Sequence, residues 1–203
     1  MKTVVALFEN YMDADRAVNE LNARGFTRNE ISVAARDSAI RDRMTAGETG
    51  KERAVAESAG AGAVGGATLG GLTGLLVGLG ALAIPGIGPV IAAGTLATVL
   101  GSTAVGAGVG AAAGGLIGAL VGMGIPEEDA TFYAEGVKRG GVLVTVQTSD
   151  DRASEALSIM RRFNAVDVDT QRRSWTESGW NGQFDTAREP DENYTWSSRP
   201  RTY

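Results

Sequence analysis

The sequence predicts an α+β fold: a ferredoxin-like βαβ-βαβ sandwich interrupted by a long glycine-zipper helical hairpin. Three observations predict it. The first 35 residues read as strand, helix, strand, and residues 127–170 read as helix, strand, helix, strand. Between them, Ser58 to Pro126 is a run of 69 residues with no formal charge, 21 of them glycine. Within that run two sets of five glycines repeat every fourth residue: Gly62, Gly66, Gly70, Gly74 and Gly78, then Gly106, Gly110, Gly114, Gly118 and Gly122. On a helix that period lines up one face without Cβ atoms, along which another backbone can approach closely.

In chain order, Thr3 to Phe8 is β-branched and apolar and predicts a strand. Asp13 to Arg24 predicts a helix with Ala14, Ala17, Val18 and Leu21 on one side and acids in its first turn. Gly25 stops it, Phe26 packs back, and Ile31 to Ala35 is a second strand. Residues 36–57 mix both charge signs with small residues and are expected to be a charged linker or surface helix.

The first glycine set carries Leu69, Leu72, Leu75, Leu76, Leu79, Leu82 and Ile84 on its other sides, so a helix over roughly residues 60–84 would cross a hydrocarbon layer of about 30 Å. Pro85, Gly86, Gly88 and Pro89 then predict a chain reversal, the hairpin turn. Val90 to Ile125 is too long for one straight crossing and predicts a short helix, a break and a long helix. Extended structure here is disfavoured by the alanines. Three readings of the run stand: a membrane-inserted hairpin, a water-soluble glycine-zipper hairpin buried by self-association, and a flexible low-complexity linker.

Beyond it, Pro126-Glu127-Glu128-Asp129 opens a helix with an early proline and early acids, and Ala130, Tyr133, Ala134 and Val137 form its stripe. Gly141 to Gln147 is a strand buried on nearly both faces. A helix follows with Ala153, Ala156, Leu157, Met160 and Phe163 apolar. Ala165 to Asp169 alternates as a last strand near an edge. The domain scheme is therefore one small α+β domain from 1–35 and 127–170, the linker 36–57, the hairpin 58–126, and an aromatic tail 171–203. That tail holds Trp175, Trp180 and Trp196 without periodicity. It is either a disordered segment or one that docks on a partner, a neighbouring protomer or a membrane interface.

The chain resembles the bacterial general stress protein 17M-like family, also described as heat-induced or low-temperature-induced stress proteins. The residues that carry the resemblance are Thr3 to Phe8 with Ala17-Val18, Gly25-Phe26 and Ile31-Ser32-Val33. They continue with the glycine sets around Ile84-Pro85-Gly86-Ile87-Gly88-Pro89, with Gly124-Ile125-Pro126-Glu127-Glu128, and with Gly140 to Val146. The likeness covers roughly Met1 to Thr170 and implies a link to stress but no catalytic residues.

Composition bounds the rest. Histidine and cysteine are absent from all 203 residues, which removes thiol chemistry, imidazole or thiolate metal sites and histidine acid–base catalysis. A net charge of −5 with no basic patch argues against a nucleic-acid partner. Glu127, Glu128 and Asp129 are consecutive and fan around a helix instead of converging. No glycine pair is followed by the Lys-Ser or Lys-Thr of a phosphate loop. No catalytic residue, cofactor or metal is expected. The early Glu9 leaves no signal-peptide core, so the expected location is cytoplasmic, with association to the inner membrane. The predicted function is a non-enzymatic, stress-related structural protein, membrane-associated through the hairpin and self-associating. A soluble homo-oligomeric ring, shell or filament, or a module binding lipid or another apolar ligand, is the alternative.

Overall fold

The computed structural model describes residues 1–36, 81–84, 88–98, 111–185, 187 and 196. Strand β1 (Lys2–Phe8) begins it, and its alternation decides the architecture. Val4, Ala6 and Phe8 face one way and Leu7 the other, and all four are buried. Both faces of the sheet must therefore be covered.

Helix α1 (Tyr11–Ala23) follows, started by the Asn10 side chain, which accepts the Asp13 amide at 3.0 Å. Strand β2 (Ile31–Arg36) is followed, after residues outside the description, by β3 (Ala81–Ile84) and β4 (Gly88–Ala93). Next come α2 (Ala111–Gly122), α3 (Glu127–Lys138), β5 (Val142–Thr148), α4 (Asp150–Arg162) and α5 (Val168–Glu177). The five strands form one antiparallel sheet in the order β1-β5-β2-β4-β3.

One face of the sheet sets Val4, Phe8, Ile31, Val33, Val144 and Val146 against Val18 and Leu21 of α1 and Ile159 and Met160 of α4. The opposite face sets Leu7, Ala34, Leu143 and Val90 against Leu116 and Leu120 of α2 and Phe132 and Val137 of α3. The result is three layers, helix, sheet, helix. The α+β class holds, and the run β1-β5-β2 is the strand order a split βαβ pair requires.

Two features depart from the expected sandwich. Helices cover both faces of the sheet, where a ferredoxin-like sandwich carries them on one, because β1, β2 and β5 each bury residues of both parities. The expected last strand is also missing: residues 165–167 are irregular and α5 begins at Val168. Only the Val166 amide, donating to Leu7 O at 2.8 Å, marks the edge where it would lie. Asp167 accounts for the difference, since its side chain accepts the Thr170 amide at 2.9 Å and starts a helix there.

The central run is corrected too. The reversal expected at Pro85, Gly86, Gly88 and Pro89 exists, with Ile84 opposite Gly88 and Ala83 opposite Pro89, but it joins two strands and not two helices. Residues 81–84 are extended, against the helix expected over 60–84, and the alanines do not prevent it. The open side of β2 makes residues 88–93 a strand where the sequence predicts a short helix, since Val33, Ala34, Ala35 and Arg36 pair with Ala93, Ala92, Ile91 and Val90. That strand in turn pairs with 81–84. Burying Val90 and Ala92 outweighs a weak intrinsic preference. Past β4, Gly94 turns with φ +76° so close to the sheet that a Cβ there would overlap Ile31 O. Ser32 Oγ and Thr95 Oγ1, 2.9 Å apart, pin the helical turn at 95–98 to β2. The charged segment 37–57 and the first glycine set lie outside the described residues.

Helix α3 lies on β1 without a side chain between them at Gly136, where a Cβ would run into the methyls of fully buried Leu7. Gly136→Ala is expected to lower stability by about 1–3 kcal/mol through overpacking. A urea midpoint equal to that of the parent chain would refute this close approach.

Candidate functional site

Helix α5 and the segment after it form a clasp over α3. Asp167 caps the helix, and hydrogen bonds from the Thr170 hydroxyl and amide hold its carboxyl below the usual range. At the other end the Gly179 amide donates to Thr176 O and the Trp180 amide to Trp175 O at 2.8 Å. That pair of bonds turns the chain back and brings the residue after the glycine onto the last turn. Trp180 accordingly meets Trp175 edge-on, with centroids 5.6 Å apart.

Both indoles go inward. Trp175 is 1% exposed and Trp180 9%, against Phe132 of α3 at 4.7 and 6.4 Å. Tyr133 meets Phe132 edge-on at 5.6 Å. Trp196 completes the cluster 5.7 Å from Trp175, and its Nε1 donates to Arg139 O at 3.1 Å. Gly141 makes room for it: a Cβ there would stand 3.0 Å from the Trp196 ring.

Cations rim this cluster and each is engaged. The Arg139 guanidinium lies 4.7 Å from the Trp175 ring centre and bonds Glu135 at 2.7 Å. Lys138 is 4% exposed, sits 5.2 Å from the Phe184 centroid and donates to Asp185 O at 2.6 Å. Arg172 of α5 bonds Glu128 and, at 2.7 Å, Asp129, the acids that open α3, and lies 5.6 Å from Phe132. The consecutive acids thus serve as a helix start and as the anchor of α5. Tyr133 has its phenol pushed up to about 12, first by burial and then by the Asp129 charge, with Arg172 opposing. A groove of about 190 Å³ opens beside Trp180, lined by Glu128, Arg172, Thr176, Asn181 and Gly182.

A second surface lies on α2. Leu116, Ala119 and Leu120 are buried inward, and Gly118, Val121 and Gly122 are exposed outward, Val121 by 43%. A Cβ placed on Gly118 or Gly122 would find no atom within 4 Å. Among the described residues, nothing packs on the end of the second glycine set. Its helix has 12 residues, about 18 Å, against the roughly 30 Å of a hydrocarbon core. Among the described residues no helix is long and apolar enough to cross a membrane.

The other expected positions divide as follows. Gly62, Gly66, Gly70, Gly74, Gly78, Gly106, Gly110, Pro85 and Gly86 lie outside the described residues, and Gly114 falls in the first turn of α2. Gly88 and Pro89 open β4. The three tryptophans expected to lie loose or dock elsewhere instead meet on their own α3. Sequence reading missed α5 itself, although Asp167 and Gly179 mark its ends and Trp175 and Trp180 stand five residues apart. Among the described residues no three His, Cys, Asp or Glu side chains converge in a way that could hold a metal.

Trp175→Ala should cost about 3–5 kcal/mol, because it empties a fully enclosed site. Denaturant titration that finds less than 1 kcal/mol, on the order of a surface change, would contradict the burial. The raised Tyr133 value also fixes a pH dependence. In the unfolded chain the phenol ionises near 10.0, whereas in the folded chain it stays neutral to about 12. Stability from this group is intact below the first value and falls as pH rises towards the second. Tyr133→Phe should flatten that alkaline loss; equal slopes for both proteins would show that the phenol is not sequestered.

Comparison with curated proteins gives no match, and comparison with solved structures gives none either. Residues 3–81 match the model of the heat induced stress protein YflT domain, a segment that contains β1, α1 and β2 and ends at the first residue of β3. The clasp and α2 lie beyond it. The resemblance to the general stress proteins read from the sequence is borne out over residues 3–81.

Proposed function

We propose that this is a non-enzymatic, stress-related structural protein that self-associates through its glycine-rich run, with the three-layer domain as the base. The domain match supports the stress connection. One observation carries the association: α2 has no polar residue on any side, yet leaves Gly118, Val121 and Gly122 uncovered among the described residues. A helix apolar all round is stable when it is covered all round. Glycines on the uncovered face suit close backbone contact with a second copy of the same helix or with the rest of the run.

Lipid contact is the second reading, favoured by the uncharged stretch from Ser58 to Pro126. The length of α2 restricts its own part to lying along a surface. Sedimentation velocity of the parent chain and of Gly118→Leu distinguishes the readings, because a Cβ at Gly118 meets no atom of the described residues within 4 Å. The parent should sediment as an oligomer and the variant as a smaller species. A monomeric parent would overturn self-association, and flotation of that monomer with anionic vesicles would then favour lipid.

A further inference from the structure

We infer that Asn181-Gly182 is a site of spontaneous deamidation, and that its conversion loosens the aromatic clasp. The sequence has seven asparagines, at 10, 19, 22, 29, 164, 181 and 193, and Asn181 alone is followed by glycine. It is exposed, in a stretch that is neither helix nor strand. Gly182 has open surroundings and no side chain to shield its amide nitrogen. The Asn181 Oδ1 accepts the Gln183 amide at 3.1 Å. That donor polarises the side-chain carbonyl and stands where negative charge develops when the carbonyl is attacked.

The chemistry needs only water. The Gly182 amide nitrogen gives up its proton to hydroxide or a buffer base and forms a bond to Cγ of Asn181. The Cγ–Nδ2 bond breaks, and Nδ2 takes up a proton and leaves as ammonia. Water then opens the resulting five-membered imide at one carbonyl or the other, giving isoaspartate or aspartate. No redox partner enters, and the rate rises with pH and temperature.

The position gives this event a consequence. Trp180 precedes Asn181 and donates its Nε1 hydrogen to Gln183 O at 3.0 Å, so residues 181–183 hold the indole that closes the clasp. An isoaspartyl link adds a methylene to the main chain inside that closed ring and displaces Gln183 O from its donor. Either product also puts a new carboxylate in the groove that Glu128 already lines. The indole loses its tether and gains water.

The test is to incubate the full-length protein in mildly alkaline buffer below its unfolding temperature and map peptides by mass, with isoaspartate-specific methyl transfer on the products. The expected result is a gain of one mass unit at Asn181 several-fold faster than at each other asparagine, with isoaspartate present and tryptophan emission shifted to the red. Gly182→Ala should slow the reaction several-fold. Since Gly182 has φ +78° and alanine there is strained, Asn181→Asp serves as a second variant and should reproduce the emission shift without incubation. Conversion at Asn181 no faster than at the other asparagines would overturn the site. Unchanged emission in both converted protein and Asn181→Asp would overturn its effect on the clasp.

Discussion

The arrangement depends on β5 being threaded between β1 and β2. Those first two strands do not pair with each other: β1 finds its main-chain partner in Val142–Thr148, and β2 pairs with the same strand on one edge and with β4 on the other. Until β5 arrives, β1 and β2 both present unpaired amides and carbonyls, and neither face of the sheet has a floor on which helices can settle. Once it is in place, Val142, Val144 and Val146 complete the layer under α1 and α4, while Leu143 completes the one under α3. The N-terminal segment is thus committed to a strand more than a hundred residues away, and closure of the sheet is a non-local event in folding.

Much of this was legible because it rests on local chemistry. The β-branched run at Thr3–Phe8, the stripe Ala14, Ala17, Val18, Leu21 and the nearly unbroken apolar β5 each leave one physical choice. What escaped the sequence was decided by neighbours. Ala81–Ile84 is extended because β4 lies beside it, although its composition suits a helix equally well. Residues 165–169 alternate like a strand, yet the Asp167 carboxylate satisfies an amide locally and turns the chain into α5. The tryptophans lack a period because they come from a helix, a turn and a distant residue: Trp175 and Trp180 meet Phe132, and Trp196 meets Trp175. Only the first two have a local signal, the spacing that a glycine helix stop imposes.

The two outer surfaces on the α3 side differ in how they meet the apolar demand. At α3 the chain covers its own aromatic stripe, with cations placed over rings and indole and ammonium donors closed onto carbonyls. At α2 the side chains that fill the layer point inward, and the outward side keeps backbone and one valine. Among the described residues, the chain covers the apolar stripe of one helix and only part of the next.

The 44-residue connection between Arg36 and Ala81 sets how this architecture can change. Its two ends are fixed by the β2–β4 and β3–β4 ladders. The entropic cost of closing a connection rises only slowly with its length, about 0.6 kcal/mol for each doubling. Repeats of the glycine period could therefore be gained or lost there at small thermodynamic cost to the base, whereas a single-residue insertion within β4 would exchange its layers and expel Val90. The fold leaves the reach of the insertion open to variation while holding the register of the sheet fixed.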